Sequence, residues 1–95
     1  MQDTIRIRLS RDIWQQVKSA AMAADHEGGA IYVHARSVHA LLEGKPYELD
    51  GCTHRGYILR SKRDGGTYGR GKTPIEAVAW ACQMFPLIRT EVLGG

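Results

Sequence analysis

Residues 55–85, RGYILRSKRDGGTYGRGKTPIEAVAWACQMF, hold the signals that decide the fold. Tyr57 to Lys62 alternates, with Tyr57, Leu59 and Ser61 on one side and Ile58, Arg60 and Lys62 on the other. That is the period of a half-buried strand. Asp64-Gly65-Gly66 supplies residues that accept the positive φ of a hairpin turn, and Thr67 to Lys72 returns as the partner strand. Thr73-Pro74-Ile75-Glu76 then starts a helix, with threonine as N-cap, proline at the first helical position and glutamate closing a capping box. Ala77, Val78, Ala81, Cys82 and Phe85 form its apolar side, and Pro86 stops it.

The positive charge sits in the same stretch. Residues 1–54 carry six Lys/Arg against seven Asp/Glu, and residues 73–95 carry one against two. Residues 55–72 carry six, Arg55, Arg60, Lys62, Arg63, Arg70 and Lys72, against Asp64 alone. The formal +3 of the chain is therefore a local feature, and local charge makes binding faces.

Working outward, Thr4 to Leu9 alternates as a strand, and Ser10 offers an N-cap to a helix over about 11–24 with Ile13, Val17, Ala20, Ala21 and Ala24 at helical spacing. Gly28-Gly29 marks a turn. Ala30 to Val33 suits a strand or the start of a helix; His34 to Glu43 is read as helix, ended by Gly44 and Pro46. Tyr47-Glu48-Leu49 makes a short strand before an Asp50-Gly51 turn. Leu87 to Leu93 is read as a last strand, and Gly94-Gly95 as a loose tail. The expectation is one α+β domain over residues 1–95, an antiparallel sheet centred on the 57–62 and 67–72 hairpin and packed by one face on two or three helices.

Ninety-five residues with 43% hydrophobic and 24% charged content suit one globular core. No apolar run near the start suggests a signal sequence, and none approaches the roughly 20 residues that span a bilayer. The chain is expected in the cytoplasm, with Cys52 and Cys82 reduced and Cys82 a buried small hydrophobe. His26, His34, His39 and His54 lack the close pairing of structural zinc ligands, and a set of His34, His39, Cys52 and His54 is the weak alternative. No nucleophile motif, paired carboxylates or Walker loop appears, so neither catalysis, cofactor, metal nor small-molecule substrate is expected. Gly69-Arg70-Gly71-Lys72-Thr73 leads into a helix N-terminus, an inherent anion site, but an ordinary cap explains it better; Gly65, Gly66, Gly69 and Gly71 read as hairpin and strand-end glycines. Trp14 and Trp80 are read as core. Binding of an acidic protein surface or nucleic acid is expected through Arg60, Lys62, Arg63, Arg70 and Lys72, with Tyr57 or Tyr68 for stacking.

Three partial likenesses accompany this reading. Strand TIRIRLS, helix RDIWQQVKSAAMAA, a glycine turn and a second helix (residues 4–43) resemble a ribbon-helix-helix repressor, which implies an intertwined homodimer reading DNA through Arg6 and Arg8. Residues 34–85, in the order helix, three strands, helix, resemble a double-stranded RNA-binding domain at Gly69, Gly71, Thr73, Ala77 and Ala81. Pro74 and Ile75 stand where that family has phosphate-binding lysines, so the likeness implies the fold order and not the contacts. The hairpin and its G-x-T-P-x-E-A helix resemble small phage proteins and HicB-type antitoxin modules, and more broadly anti-CRISPR proteins. That likeness implies a non-catalytic inhibitor of a bacterial defence complex, acting in the host cytoplasm.

Overall fold

A computed structural model describes residues 8–25 and 35–94. The elements run α1 (Arg11–Ala24), α2 (Ala35–Leu42), β1 (Tyr47–Cys52), β2 (Gly56–Ser61), β3 (Thr67–Gly71), α3 (Pro74–Met84) and α4 (Pro86–Leu93). The strands form one antiparallel sheet in the order β1-β2-β3. Among the described residues this is the expected α+β architecture, with a helix at 86–93 where a last strand was expected. The reading of residues 4–7 as strand, the Ala30–Val33 ambiguity, and Arg6, His26 and His34 lie outside the described residues.

Alternation on β2 is as expected. Leu59 and Ser61 are buried, and with Tyr47 and Leu49 of β1 they form the inner face. α3 lies across β3 and β2, and α2 packs on β1. α1 closes a second helical layer over α2 and α3, contributing Val17 and Ala21 to the core. Ser10 caps α1 as predicted, its Oγ accepting from the Ile13 N–H.

α3 approaches β3 so closely that two glycines are required. A Cβ at Gly69 would stand 2.1 Å from the Ala77 carbonyl oxygen, and one at Gly71 2.7 Å from the Ala77 nitrogen. Neither has positive φ. Both are packing glycines; Gly71 also ends β3, as the sequence suggested, and the turn uses Gly65, at φ +74°.

Three further expectations change. β1 runs through Asp50-Gly51 to Cys52, and the turn falls at 53–55. Gly51 pairs opposite Tyr57 with φ +113°, so its glycine serves a distorted strand end instead of a hairpin. Residues 87–93 are helix, not strand. Pro86 both ends α3 and occupies the first position of α4, with extended Phe85 capping both. Ile88 and Val92, four apart, are the buried pair of that helix, and Gly94 closes it in the left-handed conformation. Phe85 leaves the apolar face of α3: it is exposed, and its ring meets Tyr68 edge-on at 5.2 Å.

Candidate binding face

Helices cover one face of the sheet. The register assigns the other face: Glu48 stands opposite Arg60 and Arg60 opposite Thr67, while Asp50 stands opposite Ile58 and Ile58 opposite Arg70. Side chains alternate along a strand, so Lys62 and Lys72 extend this face beyond the ends of β2 and β3. All of these are exposed except Ile58 and Arg60, which are half-buried. The face is polarised, acidic along β1 and basic along β3.

The hairpin's cations divide into two classes. Arg60 reaches diagonally to Asp50, Nη2 to Oδ2 at 3.1 Å. Both groups are solvent-accessible, so the pair is worth about 0.2–1 kcal/mol, but it neutralises much of the Arg60 field. Arg63 leaves the face altogether. Its Nη2 lies 2.5 Å from Glu91 Oε2 on α4, and Tyr47 Oη donates to Glu91 Oε1. The guanidinium and phenol hydrogen bonds hold the Glu91 carboxyl below its ordinary range. Burial first, and the bond to Glu91 second, push the Tyr47 phenol up to about 12. This triad straps the hairpin base to α4. Lys62, Arg70 and Lys72 have no acidic partner among the described residues.

Neither tyrosine stands on the open face. Tyr57 and Tyr68 are half-buried against the core, and the Tyr68 hydroxyl donates to Asp64 Oδ2 across the turn. That bond and the Gly66 N–H hold the Asp64 carboxyl below its ordinary value. Among the described residues the open face of the sheet therefore carries no aromatic side chain for bases to stack on.

The N-terminus of α3 serves itself. Thr73 Oγ1 accepts from the Glu76 N–H at 3.2 Å, and Glu76 Oε1 accepts from the Lys72 N–H at 3.0 Å. The carboxylate stands where a foreign anion would sit. Among the described residues no group of three His, Cys, Asp or Glu side chains is placed to share a metal ion. Cys52 and His54 lie exposed at the β1–β2 turn, whereas Cys82 is buried and its thiol is pushed up to about 11 by desolvation. No helix among the described residues is long and apolar enough to cross a membrane.

Arg8, expected to read DNA, is exposed just before α1. Gln83 of α3 grips the backbone there: its Nε2 donates to the Arg8 carbonyl at 2.8 Å and its Oε1 accepts from the Ser10 N–H. Sequence reasoning missed the roles of Gln83, Asp50 and Glu91. Only Asp50 had a signal, an acidic residue on the same strand face as Glu48 once β1 is extended past the Asp-Gly pair.

Set against protein-family models, curated proteins and solved structures, the chain matches none of them.

Proposed function

We propose that this chain is a non-catalytic binding protein that takes an anionic partner on the open face of its sheet. Lys62, Arg70 and Lys72 make the principal contacts, and Arg60 contributes what Asp50 leaves it. The observation that supports this reading is the division of the cations. Arg60 and Arg63 are drawn into ion pairs with Asp50 and Glu91, while Lys62, Arg70 and Lys72 stand on the open face with no ion pair among the described residues. The likeness to small phage proteins adds a setting, inhibition of a defence complex in the bacterial cytoplasm by covering an acidic surface or a nucleic-acid path.

The test is affinity capture from bacterial lysate, with and without nuclease. Lys62→Glu with Arg70→Glu is expected to lose the captured partner, while Arg6→Glu with Arg8→Glu, an equal change in net charge, retains it. Loss confined to the second pair overturns the proposal and moves the contact to the segment before α1. A partner lost to nuclease is nucleic acid; its salt dependence then has a slope of about −3 for three phosphate contacts.

A further inference from the structure

We infer that the partner, on the binding reading above, is an extended acidic protein segment that adds to the sheet as a fourth strand at β3. Three features converge on that edge. The first is backbone geometry. The Lys62 N–H donates to the Pro46 carbonyl and the Ser61 N–H to the Gly66 carbonyl, both at 2.9 Å. Bonding direction alternates along an antiparallel strand. Leu59 and Tyr57 therefore bond toward β3, and their partners Gly69 and Gly71 bond inward. Arg70, between those glycines, directs its N–H and C=O outward from the sheet, where no strand pairs among the described residues.

The second feature is charge. A residue paired with Arg70 across that edge projects its side chain on the same open face, directly opposite the guanidinium. Its neighbour two positions to one side faces Lys72, and the one to the other side falls at Tyr68, where β3 is bulged. An incoming strand with acids at alternate positions meets Arg70 and Lys72, which have no other acid partner among the described residues.

The third feature is the helix above the edge. The helical period puts Trp80 beside Ala77 and Ala81, the residues over Gly69, on the flank of α3 turned away from buried Val78 and Cys82. Trp80 is half-buried, and Met84, one turn on, is 46% exposed. Intervening residues of the added strand face this flank, which suits apolar side chains. Recognition by strand addition combines main-chain bonds with such alternate pockets. The charge that keeps a short edge from pairing with neutral strands selects an acidic one.

The probe is a short capped peptide alternating Glu and Val, with a Lys/Val peptide and a single-stranded oligothymidylate as comparators. Titration is followed by Trp80 emission in a Trp14→Phe background whose circular dichroism matches the parent. The Glu/Val peptide is expected to shift that emission and to protect the Arg70 amide from hydrogen exchange. Arg70→Glu with Lys72→Glu, both exposed positions that leave the core intact, weakens binding at least about tenfold. The Lys/Val peptide does not bind. An Arg70 amide that exchanges unchanged at saturating peptide overturns strand addition. Binding of the oligothymidylate but not the peptide makes the partner nucleic acid. Concentration-dependent self-association abolished by Glu48→Lys makes it the β1 edge of a second copy. In these cases the capture experiment still decides separately whether the basic face binds at all.

Discussion

Substituting Gly69 by alanine isolates the contact that holds α3 on the sheet. The residue lies in β3 without positive φ, so the backbone itself accepts alanine. Were nothing above it, the change would stabilise the fold by about 0.4–1 kcal/mol through the unfolded chain. The structure reverses that sign. The new Cβ stands 2.1 Å from the Ala77 carbonyl oxygen and 2.9 Å from Ala81 Cβ, and the first is backbone that no rotamer change can clear. To restore a 3.4 Å contact, helix and strand must part by about 1.3 Å, and a gap of even 0.5–1 Å forfeits roughly a quarter to a half of the contact energy. Leu59, Val78 and Ile75 belong to the buried core that α3 shares with the sheet, and burial of each is worth roughly 1.5–3 kcal/mol. Losing a third of that burial costs about 1.5–3 kcal/mol, within the range for overpacked cores. Against a stability of about 5–14 kcal/mol for a chain of this length, the melting temperature falls by roughly 10–20 °C. Urea unfolding followed by circular dichroism measures it, with Gly44→Ala as reference. Gly44 has φ +79° and open space around it, so its cost is strain alone, about 1 kcal/mol. Adding Ala81→Gly to Gly69→Ala restores little, because the Ala77 oxygen remains. A Gly69→Ala chain as stable as the parent, or less affected than Gly44→Ala, refutes the close approach of α3.

Three further outcomes are expected. Glu91 has its folded pKa depressed by Arg63 and Tyr47, so its contribution is present above the ordinary value of 4.5 and is lost as pH falls through the depressed one. Urea midpoints should therefore drop on acidification below about pH 4.5 in the parent and less steeply in Glu91→Gln, and equal slopes count against the strap. In the native chain a thiol reagent modifies Cys52 alone, and Cys82 reacts only when denaturant is added; rapid modification of both shows that Cys82 is not buried. Gln83→Ala removes a half-buried hydrogen bond to residue 10 and an exposed one to residue 8 and costs about 1–3 kcal/mol. It should also raise hydrogen exchange at the Ser10 amide while leaving β2 protected.

What was legible in the sequence was what local chemistry decides. Thr73-Pro74-Ile75-Glu76 started α3, Ser10 capped α1, and the alternation of Leu59 and Ser61 named the inner face of β2, because caps and side-chain period act within a few residues. The failures share a cause of the opposite kind. Pro86 read as a stop, yet proline at a first helical position is also a start, and only the burial of Ile88 and Val92 against the other helices selects helix for 87–93. Gly69 and Gly71 match turn chemistry in composition, and only a helix lying on them gives them another role. The binding face was half legible for the same reason. Six basic residues in an 18-residue stretch announce charge, but charge becomes a surface only after its internal partners are subtracted. Arg63 is separated from Glu91 by 28 residues and Arg60 from Asp50 by a turn, so the subtraction is a tertiary event. It removes Arg60 and Arg63 and leaves Arg55, Lys62, Arg70 and Lys72. Two of the four, Arg70 and Lys72, fall at the edge strand that no strand pairs among the described residues, and that coincidence makes an added acidic strand a more specific expectation than a basic hairpin alone supports.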